Sequence, residues 1–443
     1  MLERKRKLDC ANGREKADLV LKNGNVLNVF TEEVLKADVA ICGDTIVGVG
    51  EYEGKEEIDC TGKYLVPGFI DAHMHIESCM AAPGELAKVL AKAGTTTIIA
   101  DPHEIVNVSG TKGMDYFLKC AAKLLVNVFF MVPSAVPATD VETNGCGEFL
   151  ASDMMKYVDN ARVLGLGETM RFMECCEGEK RMADKLELFA KKHIDGHAPG
   201  IRGKEVQAYR LAGVENDHEC STAEEVLDKL RAGLHIYVRE GSGAKNLETL
   251  IKTMLDAGVC LDRCAFCTDD KHVEEIRKEG HISTCIRKAI ALGVPVAKAY
   301  KMGSYQAAEF YGLKNYGAIG AGYRADIVFL DDLEQVRPLD VMKDGRILTE
   351  EDYAKDYSVP VPDELLHTVH VGEVTKEKIR LSCDGKTDVI QMNPHQIVTT
   401  HLVEEVPTEN GYFKSDGVYN KICVVERLSL IHISEPTRHA QIS

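Results

Sequence analysis

After Gly62 the chain repeats one unit eight times: a short apolar strand, a polar loop and an amphipathic helix. Strand candidates fall at 64–69, 95–100, 126–132, 163–166, 193–195, 211–214, 235–238 and 264–268, with helical stretches such as 84–92 and 222–232 between them. Eight such units are what a (β/α)8 barrel requires, so the expected fold is α/β with a TIM-like barrel over 66–316. Before it, 17–58 alternates in short strands broken by turns and reads as a small antiparallel β unit. The sequence returns to β character at 317–330, and those strands are expected to rejoin the first, giving a small β-sandwich domain from 1–65 and 317–360. Residues 361–427 are expected to form an incomplete C-terminal α/β domain, and 428–443, which show no clear period, a non-native tail.

With 443 residues, 45% of them hydrophobic, the chain can bury a large core. Its formal charge of −17, and a basic run limited to Arg4–Lys7, argue against a nucleic-acid surface, which recruits clustered cations. No apolar run approaches the roughly 20 residues of a membrane span. The N-terminus is charged and lacks the apolar core of a secretion signal. The 15 cysteines are therefore expected to be reduced thiols in a cytoplasmic protein.

The first barrel strand runs into the string PGFIDAHMH at 67–75, where the period of two turns Asp71, His73 and His75 to one face. A His-x-His pair alone is weak, since 15 histidines in 443 positions give roughly half of one such pair by chance. Position strengthens it: polar residues just past a barrel strand lie on the C-terminal face, where barrel enzymes hold their active sites. Other strand ends supply Glu168, His197, His218 and Asp269. Four imidazoles and two carboxylates suit a two-metal site, although Glu168 or Asp269 taken singly would also serve as a helix-terminal carboxylate.

His103 and Glu104 follow the second strand and face the same mouth, either to touch substrate or assist proton transfer, or to cap a helix. Arg239, Glu240 and Ser242 end the seventh, either to hydrogen-bond a substrate edge or, for the Arg–Glu pair, as a salt bridge. A rival zinc site built from His75-Ile-Glu77 and Cys264-Ala-Phe-Cys267 does not assemble, because residues three apart on a strand point to opposite faces; the two cysteines are expected in the core. No glycine-rich phosphate loop is present, so the chemistry is expected to be hydrolytic.

The string PGFIDAHMHIES at 67–78 resembles the metal-binding opening of the amidohydrolase superfamily, and of its adenine deaminases in particular. DPHEIVNV at 101–108, DGHAPG at 195–200, REGS at 239–242, CTDDKH at 267–272 and GAIGAGYRAD at 317–326 extend the resemblance from about Ala17 to about Arg427. It implies that His73 and His75 bind one divalent metal and His197 and His218 another, with Glu168 bridging and Asp269 both ligand and proton shuttle. Catalysis is then expected from Asp269, Glu168 and His218, with manganese or iron favoured and zinc compatible. The implied reaction is hydrolytic deamination of adenine by a metal-activated hydroxide, in a homo-oligomer that binds a small purine and neither nucleic acid nor membrane. The same cluster on this fold also serves ring-opening amidohydrolases of the dihydroorotase or hydantoinase kind, and a catalytically silent metal-binding fragment is a further alternative. QIVTTHLVEEVP at 396–407 and KICVVER at 421–427 also resemble adenine deaminases, whose chains continue further, so this one is expected to end short of that family's C-terminus.

Overall fold

The computed structural model describes residues 2–425, 427 and 428, so nearly all of the tail expected to be foreign to the fold lies outside the described residues. Strands β1 (Ala17–Asn28), β2 (Glu33–Cys42), β3 (Thr45–Gly50), β4 (Gly54–Asp59) and β5 (Tyr64–Pro67) open one mixed sheet. β2 pairs antiparallel with β1 and with β3, but β4 and β5 run parallel to β1, so the unit is not purely antiparallel as expected. The cause is the length of β1: Ala17–Lys22 pairs with β4 and Asn25–Val26 with β5, on either side of an irregularity between Leu21 and Gly24 in its pairing with β2.

Eight parallel strands follow: β6 (Phe69–Met74), β7 (Thr95–Ala100), β8 (Asn127–Val132), β9 (Val163–Thr169), β10 (His193–Gly196), β11 (Asn216–Asp217), β12 (His235–Arg239) and β13 (Cys264–Cys267). Two seams close them into a ring. Glu215 N–H donates to Ile194 O at 3.0 Å between β10 and β11, and Asp269 N–H donates to His73 O at 3.0 Å between β13 and β6. The result is a TIM-like α/β barrel. Its interior is filled by Ile70, Ala72, Ile99, Met131, Tyr237, Ala265, Cys267 and Tyr311, a packed core and not a pore. Helices cover the outside, as with Pro83–Lys92, which starts at a proline and buries Leu86 and Leu90, and Ala223–Arg231, whose Thr222 cap accepts from Glu225 N–H at 3.3 Å.

Two strands differ from their sequence expectation. The first candidate, 64–69, divides at Gly68: residues up to Pro67 belong to the mixed sheet and the barrel strand begins at Phe69. A Cβ at Gly68 would overlap the Thr96 side chain, so the chain changes sheets where its backbone can pass closest. The sixth strand is not 211–214. Leu211 ends the helix Lys204–Leu211 and is 89% exposed, Gly213 turns the chain at φ 108°, and pairing begins only at Asn216.

After the barrel, β14 (Ile327–Leu330) pairs antiparallel with β5, and β15 (Asp340–Lys343) and β16 (Arg346–Ile347) extend the same mixed sheet. Farther on, β17 (Lys386–Gln391) and β18 (Thr400–Glu405) form an antiparallel pair. Among the described residues no helix is long and apolar enough to cross a membrane. Cys264 and Cys267 are both buried on β13, Cys264 among outer core residues and Cys267 in the barrel interior, and no disulfide forms among the described residues.

Candidate active site

Strand geometry brings the charged residues together. His73 lies in β6 and His75 just past it, Glu168 in β9, and His197, His218 and Asp269 beyond the ends of β10, β11 and β13. His73 and His218, from strands three apart around the ring, stack at 4.0 Å between centroids. Donor atoms of His73, His75 and Asp269 lie within 4.8 Å of one another, as do those of His73, Glu168 and His218, and those of His197, His218 and Glu219. Glu168 stands between the ends of this cluster: Oε1 is 3.4 Å from His75 Nε2, while Oε2 is 2.8 Å from His197 Nδ1 and 3.3 Å from His218 Nε2.

Asp269 has φ 56°, a left-handed conformation that aspartate tolerates better than most residues. Its N–H donates to His73 O and its C=O accepts from His75 N–H at 3.2 Å, which aims Oδ1 to 3.3 Å from His75 Nε2.

The donor set fits divalent cations. Both ring nitrogens of His73 and both of His218 are buried without a hydrogen-bond partner, a costly state that coordination would relieve at one nitrogen of each ring. Burial, followed by the neighbouring His218 and His75 rings, pushes His73 well below the ordinary imidazole range, which keeps it in the neutral form that ligates metals. At His75 and His218 burial acts the same way but is outweighed, by Glu104 and Asp269 at the first and by Glu168 and Glu219 at the second, so both stand well above that range. At Glu168 burial pushes upward and is overcome by His197, His218 and His75, which hold the carboxyl well below its usual range. Imidazole and carboxylate donors without thiolates suit manganese, iron or zinc.

Glu219 escaped the sequence reading. It is fully buried, with Oε1 3.3 Å from His218 Nε2 and 3.5 Å from His197 Nδ1, and it pairs with Arg239. Strand alternation would turn Glu219 away from the face of His218. Pairing in β11 stops at Asp217, however, so both residues lie on a loop that turns them inward together. Burial pushes its carboxyl upward, but His197 and Arg239 hold it at about 2.

The expected substrate residues divide into two groups. Glu104 Oε2 lies 3.4 Å from His75 Nδ1 and so stands at the cluster, while His103, the residue before it, has its Nδ1 buried without a partner. Arg239 and Glu240 do not pair with each other. Arg239, with no exposed surface, donates to Glu219, to Asp269 Oδ2 at 2.8 Å and to Asn246 Oδ1 at 3.0 Å. Glu240 is paired with Lys288 at 2.6 Å, and Ser242 Oγ accepts from His272 N–H at 2.9 Å.

Buried carboxylates below the cluster orient it, as outer-shell partners do in metal sites. Asp101 O accepts from His75 Nδ1–H at 3.0 Å, and Asp101 Oδ2 accepts from Glu168 N–H at 2.9 Å. Asp71 Oδ1 accepts from His73 N–H at 3.1 Å while Oδ2 faces Thr268 Oγ1 at 2.5 Å and His281 Nε2 at 3.0 Å, locking β6 to the end of β13. Gly167 makes room for this arrangement, because a Cβ there would overlap the Asp101 carboxylate. Gly167→Ala is expected to cost about 1–3 kcal/mol of stability through overpacking, read as a lowered Tm of the purified variant. An unchanged Tm would show that Asp101 can move aside.

Comparison with known proteins agrees with this geometry. The model of the amidohydrolase family matches residues 64–348. An adenine deaminase of Desulfitobacterium hafniense is 46% identical over 416 residues, covering 94% of this chain and 73% of its own length. One from Clostridium acetobutylicum is 43% identical over 428 residues, covering 95% and 75%. A solved structure of an adenine deaminase superposes with a TM-score of 0.56 at 19% identity, over 75% of this chain and 100% of that one, a likeness of fold. The chain belongs to the amidohydrolase family, in the branch that holds its adenine deaminases.

Proposed function

We propose that this chain hydrolyses adenine to hypoxanthine and ammonia at two divalent cations held at the mouth of the barrel. The observation that carries the reading is the convergence of the buried His73, His75 and His218 and the part-buried His197 on Glu168, whose two oxygens face opposite ends of the cluster. His73, His75 and Asp269 would hold one cation and His197, His218 and Glu219 the other, with Glu168 between them and manganese or iron as the metal. When bound, such cations supply Lewis acidity and lower the pKa of water toward neutrality.

The chain's own residues do the rest. Burial pushes the Asp269 carboxyl upward, but His75 and Arg239 hold it far below its usual range, so it stands ionised and ready to accept a proton. Water adds its oxygen to the amine-bearing carbon of adenine, and Asp269 takes a proton from that water and returns it to the leaving amine. The carbon–nitrogen bond breaks, ammonia departs, and the second water proton stays with the product lactam. Arg239 keeps Asp269 and Glu219 in place and has no free face for the purine, whereas Glu104, beside His75, and the adjoining His103 are the residues we assign to substrate.

The test is turnover by the full chain, loaded with Mn²⁺ under reducing conditions. Ammonia released together with the ultraviolet change from adenine to hypoxanthine is the expected result. Hydrolysis of dihydroorotate or hydantoin with none of adenine would assign the site to ring opening instead.

A further inference from the structure

Beneath the His197, His218 and Glu219 end lies an ion pair that the proposed chemistry does not use. Lys229, on the helix Ala223–Arg231, and Asp217, the last residue of β11, are both at 0% exposure, with Nζ 2.9 Å from Oδ1. A buried pair is tolerable only when its remaining donors and acceptors are also satisfied. Here both Asp217 oxygens and a second proton of the Lys229 ammonium find partners in the two loops that carry the inward-facing residues.

Ala198, next to His197, is gripped on both sides: its N–H donates to Asp217 Oδ2 at 2.9 Å and its C=O accepts from Lys229 Nζ at 2.7 Å. Glu219, next to His218, donates its N–H to Asp217 Oδ1 at 2.8 Å. One carboxylate thus spans both loops, and the lysine closes the clamp from the surrounding helix. The His73, His75 and Asp269 end rests on a different carboxylate, Asp71.

We propose that Asp217 and Lys229 form a positioning pair that sets the spacing of His197, His218 and Glu219, and so governs affinity for the cation at that end alone. This rests on the two-cation reading above. Neither residue touches metal or substrate. The pair acts through the backbone of Ala198 and Glu219, and its removal is expected to loosen one ligand set while leaving the other intact. Outer-shell partners of metal ligands typically account for about 10- to 100-fold in affinity.

The experiment uses the full chain as wild type, Asp217→Asn, Lys229→Met and the double variant, which leaves no charge unpaired. Lys343→Met serves as control: it breaks another buried pair, Lys343 Nζ to Asp326 Oδ1 at 3.1 Å, which lies in and beside strands of the mixed sheet. Each protein is loaded with Mn²⁺, its metal counted by mass spectrometry, and its affinities measured by competition with a chelator.

Wild type and Lys343→Met are expected to bind two ions with the same affinities, the control with a lower Tm. The pair variants are expected to keep one ion at wild-type affinity and to hold the second about 10- to 100-fold more weakly. Variants that bind both ions as wild type does, or that weaken both equally, overturn the proposal. Should a single variant fail to fold, the double variant decides by the same criteria. Failure of the double variant to fold while Lys343→Met folds also overturns it, since the pair would then be a requirement of the fold. A wild-type chain that holds no ion overturns the two-cation reading itself, a result distinct from any of these.

Discussion

Asp269→Asn is expected to lower kcat for adenine by about 10²- to 10⁴-fold, the usual worth of a positioned proton-transfer group, with a much smaller change in KM. The substitution keeps the size of the side chain and an oxygen for Arg239, which donates to Oδ2 at 2.8 Å. What it removes is basicity, since an amide cannot take the proton that the carboxylate takes, together with the negative charge that Asp269 would offer the cation at His73 and His75, which is why metal is counted alongside. The check is steady-state kinetics on adenine, followed by the ultraviolet change and accompanied by a metal count. A rise in KM with kcat unchanged would make Asp269 a binding residue and move proton transfer elsewhere.

Glu168→Gln is expected to be as severe by another route. The two oxygens of Glu168 face different ends of the cluster, Oε1 toward His75 at 3.4 Å and Oε2 toward His197 at 2.8 Å. An amide keeps one acceptor oxygen and replaces the other with an N–H donor, so one end loses its ligand and both lose a negative charge. Activity should fall by about three orders of magnitude or more, equivalent to about 4 kcal/mol of transition-state stabilisation. The metal count should fall with it. Wild-type metal content together with wild-type turnover would show that Glu168 does not bridge.

Much of the site was legible because a barrel converts order along the chain into position around a ring. Once eight strands could be counted, a polar residue following each one pointed to the same mouth, and His73, His75, Glu168, His197, His218 and Asp269 do converge there. Local ambiguity caused the misplacements. The apolar Leu211 could end a helix or begin a strand, and only packing decides, leaving it 89% exposed at a helix end. The 64–69 run looked continuous because nothing in it shows that Thr96 crowds Gly68, which marks the change of sheets.

Glu219 was missed because alternation holds only while strand pairing lasts, and pairing in β11 stops two residues before it. Arg239 and Glu240 suggested each other as partners by adjacency, yet successive residues on a strand point apart. Arg239 turns to Glu219 and Asp269, and Glu240 to Lys288. The Asp217–Lys229 pair joins residues 12 apart, one on a strand and one on a helix, to a separate loop at Ala198, a relation that no local pattern carries.

The most direct test of the two-cation site is a crystal of the full chain grown with Mn²⁺ and measured for anomalous scattering. Two peaks are expected, one among His73, His75 and Asp269 and the other among His197, His218 and Glu219, with Glu168 between them. A single peak, or peaks away from these side chains, would contradict the account.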